Sequence, residues 1–152
     1  MPDVTTIIDA YGCCGCGDSI CCEGVDEYCL AITGLTDGVG GCDCTQTDGS
    51  YTLTRVGPEY CVWRTYDILV CGGLGSGYNP SAELQYYDFT DEWILWISSG
   101  DSDPIIAAYR LDGVDWDCEG ENTMYLAGVT DPHAFPACNW PGTVTVTAGA
   151  CP

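Results

Sequence analysis

The fold predicted for this chain depends most on residues 29–54, CLAITGLTDGVGGCDCTQTDGSYTLT. Apolar residues alternate with small or polar ones in residues 29–33 and 51–54, the period-two pattern of a half-buried β-strand. Between these runs lies a loop rich in glycine and aspartate that carries Cys42 and Cys44. The stretch therefore predicts two strands joined by a turn that sulfur cross-links hold in place.

The same alternation continues along the chain and is interrupted by turn residues about every ten positions. It predicts strands over residues 29–33, 51–56, 60–66, 68–70, 82–89, 93–98, 105–111, 123–129 and 143–147. Since no segment has a sustained helical period, we expect an all-β domain, an antiparallel β-sandwich of the jelly-roll or immunoglobulin-like kind, stabilised by disulfides. The expected core residues are Leu53, Val62, Leu84, Ile94, Trp96, Ile106, Tyr125 and Val144.

Residues 1–28 differ from the rest because glycine, acidic residues and cysteine dominate them. They predict an irregular, cysteine-rich arm in front of a β-sandwich domain of residues 29–152. The apolar run of residues 4–8 could add an edge strand to that domain or to a neighbouring subunit. The N-terminus has neither the basic nor the long apolar segment of a secretory signal peptide, and no stretch is long enough for a transmembrane helix.

The net charge of the chain limits the classes of partner that it is expected to bind. The chain has 23 acidic residues, three arginines and no lysine, which gives a formal net charge of −20. Such a surface repels phosphate backbones and anionic lipid headgroups, so nucleic-acid binding and membrane insertion are not expected. Cations or a basic partner are its natural complement.

The 13 cysteines predict a disulfide scaffold and hence an oxidising, extracellular or virion environment. Metal thiolates are the alternative, although the paired C-x-x-C spacing of zinc sites is missing. Because the count is odd, at least one sulfur is free, metal-bound or joined to another chain. The candidates are Cys13, Cys14, Cys16, Cys21, Cys22, Cys29, Cys42, Cys44, Cys61, Cys71, Cys118, Cys138 and Cys151.

Spacing suggests some of the pairings. Cys61 and Cys71 bracket a predicted hairpin and could form a local bridge, and Cys118 and Cys138 bracket residues 123–129. We expect the two cysteines of the C-x-C motif to reach two different partners. Those of the arm could form a knot, bind a soft metal or link subunits.

Acidic residues in loops indicate a calcium site. Asp112, Asp115 and Asp117 lie close together, and Asp101 and Asp103 flank a serine in a glycine–proline turn. Calcium takes about six to eight oxygen ligands, and acids that alternate with small residues can supply several of them. The EF-hand motif is absent, and alternating acids also mark the solvent face of a strand.

Catalytic motifs are scarce. His133 is the one histidine, so a two-histidine zinc site within one chain is excluded, and the lack of lysine excludes Schiff-base and P-loop chemistry. A pair of carboxylates could still hydrolyse a glycoside. We nevertheless expect a protein that is not an enzyme.

Several short motifs carry a resemblance. They are C-L-x-I-T-G, C-D-C, G-S-Y-T-L-T, Cys61-Val62-Trp63, Trp93-Ile94-Leu95, Asp117-Cys118 and the closing C-N-W-P-G-T-V-T-V-T of residues 138–147. Over residues 29–147 the chain resembles small, mostly uncharacterised cysteine-rich β-modules of bacterial surface proteins and phage structural proteins. The resemblance implies a role in architecture or adhesion and brings no catalytic motif.

The sequence thus predicts a non-enzymatic structural or assembly protein of an extracellular particle, such as a virion surface, coat or filament subunit. It would act by self-assembly or by contact with a neighbouring structural subunit. The alternative is an adhesion module that binds glycans, with or without calcium, through exposed aromatic rings. Trp93 and Trp96 point to opposite faces of one strand, so we expect at least one of them to be exposed.

Overall fold

The computed structural model describes residues 22, 24–37, 44–57, 61–66, 68, 81–98, 105–129 and 138–152. Their strands, in chain order, are β1 (Glu27–Ile32), β2 (Thr36–Asp37), β3 (Gly49–Arg55), β4 (Val62–Tyr66), β5 (Ser81–Tyr87), β6 (Glu92–Ser98), β7 (Ile105–Asp112), β8 (Glu121–Val129), β9 (Cys138–Asn139) and β10 (Thr143–Ala148). The described chain also has two 3₁₀ helices, Cys44–Thr47 and Gly113–Asp115. Neither of these helices has the length and hydrophobicity of a transmembrane span, and the described residues contain no other candidate helix.

Eight strands form one closed antiparallel barrel in the order β1-β10-β8-β7-β6-β5-β4-β3, and β3 pairs again with β1. The prediction of a two-sheet sandwich is therefore wrong, although the fold is all-β as expected. Strands of a sandwich and of a barrel both alternate between inward and outward side chains, so the period-two pattern could not separate them. Closure is decided by β1, which bonds to β10 on one side and to β3 on the other.

The shortest pairing in the barrel joins β3 to β4. Its register contains Thr54↔Arg64 and Arg55↔Trp63, and the Val56 N–H donates to the Val62 carbonyl oxygen at 2.9 Å. β2 and β9 form a separate two-stranded sheet that alternation did not predict.

All eight barrel strands lie over segments that alternation predicted. β1 begins at Glu27, so the boundary predicted after residue 28 falls within this strand, and Tyr28 is fully buried. Ile68 is buried outside any strand, while residues 69 and 70 and the run of residues 4–8 lie outside the described part of the chain.

The barrel interior is filled by one residue in two along each strand. Its buried side chains are those of Tyr28, Leu30, Ile32, Leu53, Trp63, Ala82, Leu84, Tyr86, Trp93, Leu95, Ile97, Ala107, Tyr109, Met124, Val144 and Val146. The predictions of Leu53, Leu84 and Val144 as core residues are confirmed.

Four other core predictions are wrong. Val62, Ile94 and Trp96 are half-buried, and Tyr125 is 56% exposed, because all four have the opposite phase and point away from the interior. β6 has apolar residues at every position from 93 to 97, so its pattern sets no phase, and a shift of one residue exchanges the two faces. The side chain of Ile106 lies outside the described set.

Two disulfides cross-link distant parts of the barrel. Cys22 is bonded to Cys118 over a sequence separation of 96, and Cys29 is bonded to Cys151 over a separation of 122. A Cys118–Cys138 pair is therefore excluded. These bonds confirm the predicted disulfide character and indicate an oxidising environment.

Other cysteines are described in part. Cys61 is also disulfide-bonded. Cys44 and Cys138 lie in described elements, but their side chains do not belong to the described set. The remaining predicted cysteines lie outside the described residues, namely Cys13, Cys14, Cys16, Cys21, Cys42 and Cys71.

Candidate functional site

Several connections between strands lie at the same end of the barrel because of the directions in which the strands run. β1, β4, β6 and β8 begin there, and β3, β5, β7 and β10 end there. We call it the disulfide end, because Cys22, Cys118 and Cys151 all lie in its connections. It is built from residues 22–26, 56–61, 88–91, 113–120 and 149–152, as far as these are described.

A tryptophan closes this end of the interior. Trp116, in the β7–β8 connection, stacks on Trp93 with ring centroids 4.2 Å apart and planes 11° from parallel. Its indole N–H lies 3.4 Å from the Tyr28 hydroxyl, which donates in turn to the Cys118 carbonyl oxygen at 3.2 Å. Burial raises the pKa of Tyr28 to about 12, so the phenol stays protonated and able to donate at neutral pH. The disulfide, the tyrosine and the two stacked rings hold the connection in place.

The turn between β5 and β6 is fixed to the β7–β8 connection. Asp91 has φ of 51°, an uncommon conformation for a residue other than glycine, and its carboxylate accepts a hydrogen bond from the Tyr86 hydroxyl at 2.7 Å. The Gly113 N–H donates to the Asp91 carbonyl oxygen at 2.8 Å. A Cβ atom at Gly113 would collide with the Asp91 carboxylate, which the bond from Tyr86 holds in place, so this close approach favours glycine. The two connections therefore form one unit.

This unit carries two strongly exposed apolar side chains. Phe89, in the β5–β6 turn, is 96% exposed, and Val114, in the 3₁₀ helix after β7, is 82% exposed. The sequence had placed Phe89 at the end of a strand over residues 82–89, whereas β5 ends at Tyr87. The available signal was its position in Asp-Phe-Thr-Asp, since a polar tetrapeptide between two strands is typical of a turn.

The predicted calcium ligands are described in part. Asp112, Asp115 and Asp117 lie at the disulfide end. Asp117 Oδ1 accepts a hydrogen bond from the Glu119 N–H at 3.1 Å, and the side chain of Asn122 bonds to the backbone N–H and carbonyl of Asp117 at 2.7 and 2.8 Å. Nowhere in the described residues do three or more histidine, cysteine or acidic side chains converge as a metal site would require.

Three further residues that the sequence analysis singled out belong to segments outside the description. Asp101 and Asp103 lie outside the described part of the chain, and so does His133. The calcium site therefore stays a prediction.

A groove lies on the outer wall of the barrel where β3 and β4 pair least. It has a volume of about 410 Å³ and is lined by Thr52, Thr54, Val56, Arg64, Thr65 and Tyr66. The Arg64 guanidinium donates through Nε and Nη2 to Glu83 Oε2 at 2.8 and 2.6 Å and through Nη1 to the Tyr66 hydroxyl at 3.1 Å. The Tyr66 ring remains 48% exposed. The groove thus combines an aromatic face, one guanidinium group and threonine hydroxyls, none of which the sequence had indicated as a site.

Trp93 and Trp96 lie on opposite faces of β6 as predicted, but the expectation that one of them is exposed is wrong. Trp93 is fully buried and Trp96 lies half-buried on the outer wall, where its indole N–H donates to the Tyr87 hydroxyl at 3.0 Å. Opposite faces are therefore confirmed, and the outward ring is partly covered by Tyr87.

Fold and surfaces together define a disulfide-bonded, closed antiparallel β-barrel with a filled interior. Comparisons with protein families, with curated proteins and with solved structures find no match. The resemblance to cysteine-rich modules of bacterial surface and phage proteins accordingly stays a prediction.

Proposed function

We propose that this chain is a non-enzymatic structural subunit of an extracellular particle, such as a virion surface, a coat or a filament, and that it acts through contacts of its outer surface. The observation that carries the proposal is the filled interior. An eight-stranded barrel can hold packed side chains or one small ligand. Here Trp93 packs against both Trp63 and Trp116, and all three rings contact Tyr28. Recognition then falls to the outer surface.

The cross-links support a role in an exposed, long-lived particle. A net charge of −20 opposes a compact state by self-repulsion, and disulfides counter this by restricting the unfolded chain. Cys22–Cys118 and Cys29–Cys151 place both restrictions at the same end of the barrel. A neighbour attached to residues that precede Cys22 would therefore be held against a rigid part of the molecule.

Self-assembly is tested by sedimentation velocity of the oxidised full chain over a series of NaCl concentrations. We expect species larger than one chain, and their share should increase with salt, because screening weakens repulsion between copies that are each strongly anionic. Non-reducing electrophoresis separates assembly by contact from assembly by an interchain disulfide. A protein that sediments as a monomer at every salt concentration would contradict self-assembly.

The groove on the outer wall favours a second candidate, a module that binds glycans. Sugars present apolar faces ringed by hydroxyl groups, and an exposed tyrosine ring beside charged and hydroxyl side chains fits both features. Tyr66 would supply the ring, and Arg64, Thr52 and Thr54 would supply hydrogen bonds. No calcium is needed for this arrangement.

For glycan binding, the expected result is that a Tyr66→Ala variant loses at least about tenfold in affinity for any glycan identified on an array, or about 1.4 kcal/mol. Tyr125→Ala is the matched control, because Tyr125 is also about half exposed but lies on β8, away from the groove. Equal losses in the two variants, or a wild-type protein that binds no glycan with or without calcium, would rule the groove out.

A further inference from the structure

We propose that the disulfide end docks onto a basic protein surface with an apolar recess, and that Phe89 and Val114 enter this recess. The inference rests on the proposed function and names the kind of partner that one surface of the subunit takes. We call this surface the acidic tip, defined by Phe89, Val114 and the acidic side chains of the same end.

The apolar part of the acidic tip is preorganised. Phe89 and Val114 are the two most exposed large apolar residues of the described chain, at 96% and 82%, and the others do not exceed 56%. They lie in turns that the bond from the Gly113 N–H to the Asp91 carbonyl fixes to each other. Since an ordered surface loses little conformational entropy on association, this arrangement favours binding over a mobile loop with the same residues.

The surroundings of these two side chains are strongly anionic. Ten of the 13 acidic residues described lie in the connections of this end or in the adjoining strand ends, namely Asp26, Glu27, Asp88, Asp91, Glu92, Asp112, Asp115, Asp117, Glu119 and Glu121. The two arginines nearby already interact with side chains of the same chain, because Arg110 pairs with Glu92 at 2.6 Å and Arg55 lies over the Trp63 ring at 5.2 Å. The potential at the tip is therefore negative.

This charge selects the partner. A second copy of the chain cannot complement the tip, because it carries 23 acids against three arginines, one of which is paired with Glu83. Nucleic acid and anionic lipid are repelled for the same reason. A basic protein is attracted, and the two apolar side chains then supply the desolvated centre that protein interfaces need.

The test uses two synthetic peptides of equal length and charge, one alternating lysine with leucine and one alternating lysine with serine. The oxidised wild-type chain should bind the lysine–leucine peptide more tightly, and this binding should weaken as NaCl rises, opposite to the salt effect expected for self-assembly. In a Phe89→Ser/Val114→Ser variant, affinity for the lysine–leucine peptide should fall at least about tenfold, while affinity for the lysine–serine peptide stays unchanged.

Two further variants serve as comparisons. The first separates the electrostatic contribution from the apolar one, and the second shows whether the apolar effect is specific to the acidic tip. Asp88→Asn/Asp115→Asn should weaken binding of both peptides, because both aspartates are exposed at the tip. Tyr125→Ser/Val129→Ser removes two exposed apolar side chains from β8 and should change neither affinity. Unchanged urea midpoints in all variants would show that each is folded.

The proposal is overturned if the wild-type chain does not distinguish the two peptides, or if the β8 variant loses as much affinity as the tip variant. These outcomes are separable from a failure of the proposed function. A monomer in sedimentation that still binds the lysine–leucine peptide through the tip contradicts self-assembly alone, and an assembled protein without this selectivity contradicts the docking site alone.

Discussion

A double variant in which both Cys29 and Cys151 are replaced by serine is expected to have a free energy of unfolding that is lower by about 4 kcal/mol. The bond joins β1 to the segment after β10 over a sequence separation of 122. Because Cys22–Cys118 remains, the ring that the bond closes is shorter than this separation. It runs from residue 29 back to residue 22 and, through the other disulfide, from residue 118 to residue 151, about 40 residues for which loop entropy gives about 4 kcal/mol.

The shared ring makes the two disulfides interdependent. Removing Cys22 and Cys118 first should cost about as much in loop entropy as removing Cys29 and Cys151 first, since either bond closes the same ring. The bond removed second then closes a longer loop of its own, so its removal should cost more than the first removal. The losses are therefore larger in combination than the single changes suggest.

Urea unfolding of the oxidised proteins at neutral pH measures these changes. A loss of about 4 kcal/mol should also lower the melting temperature by about 10 °C, because 1 kcal/mol corresponds to about 2–4 °C for a chain of this size. Thr147→Ala is the control, since Thr147 is paired with Cys29 in the β1–β10 register and lies outside the interior. A loss below about 1 kcal/mol for the cysteine variant would contradict an entropic role for this bond.

The strands could be predicted from sequence because apolar and polar residues alternate along a strand that has one buried and one exposed face. Barrel closure could not, because it depends on which strands become neighbours, and β1 meets β10 only across most of the chain. The phase of β6 was ambiguous for a local reason, since Trp93, Leu95 and Ile97 differ little in polarity from the residues between them. The packing of half-buried Trp116 against the core was missed because this residue lies in a connection, where no period applies.

The candidate surfaces were less accessible to sequence reasoning than the fold. The pairing of Cys22 with Cys118 spans 96 residues, and local spacing instead suggested Cys118 with Cys138. The groove at Arg64 and Tyr66 arises from the short β3–β4 register, a tertiary property with no local signal. The net charge did indicate a basic partner. The concentration of acidic residues around Phe89, however, depends on strand directions that bring three connections and two terminal segments to one end of the barrel.

Trp63→Ala is expected to cost about 3–5 kcal/mol, the range for deleting a large buried aromatic side chain. Trp63 is fully buried, packs edge to face on Tyr28 at 5.1 Å and lies under the Arg55 guanidinium. Its indole N–H also donates to the Val25 carbonyl oxygen at 2.9 Å, which ties the segment before β1 to β4. The cost therefore contains a packing part and a hydrogen-bond part.

Phenylalanine substitutions separate these two parts. Trp63→Phe keeps a ring but leaves the Val25 carbonyl oxygen without the indole donor, which should cost about 1–3 kcal/mol beyond the loss of volume. Trp93→Phe is the matched control, because Trp93 is equally buried and its indole N–H has no hydrogen-bond partner among the described residues. Removing an unsatisfied buried donor relieves a desolvation cost, so this variant should lose less stability despite the same change in size. Urea unfolding of the two variants under the same conditions measures both losses of stability. Equal losses, or a larger loss for Trp93→Phe, would contradict the prediction. Either result would mean that ring stacking on Trp116 stabilises the disulfide end more than the hydrogen bond to Val25 does.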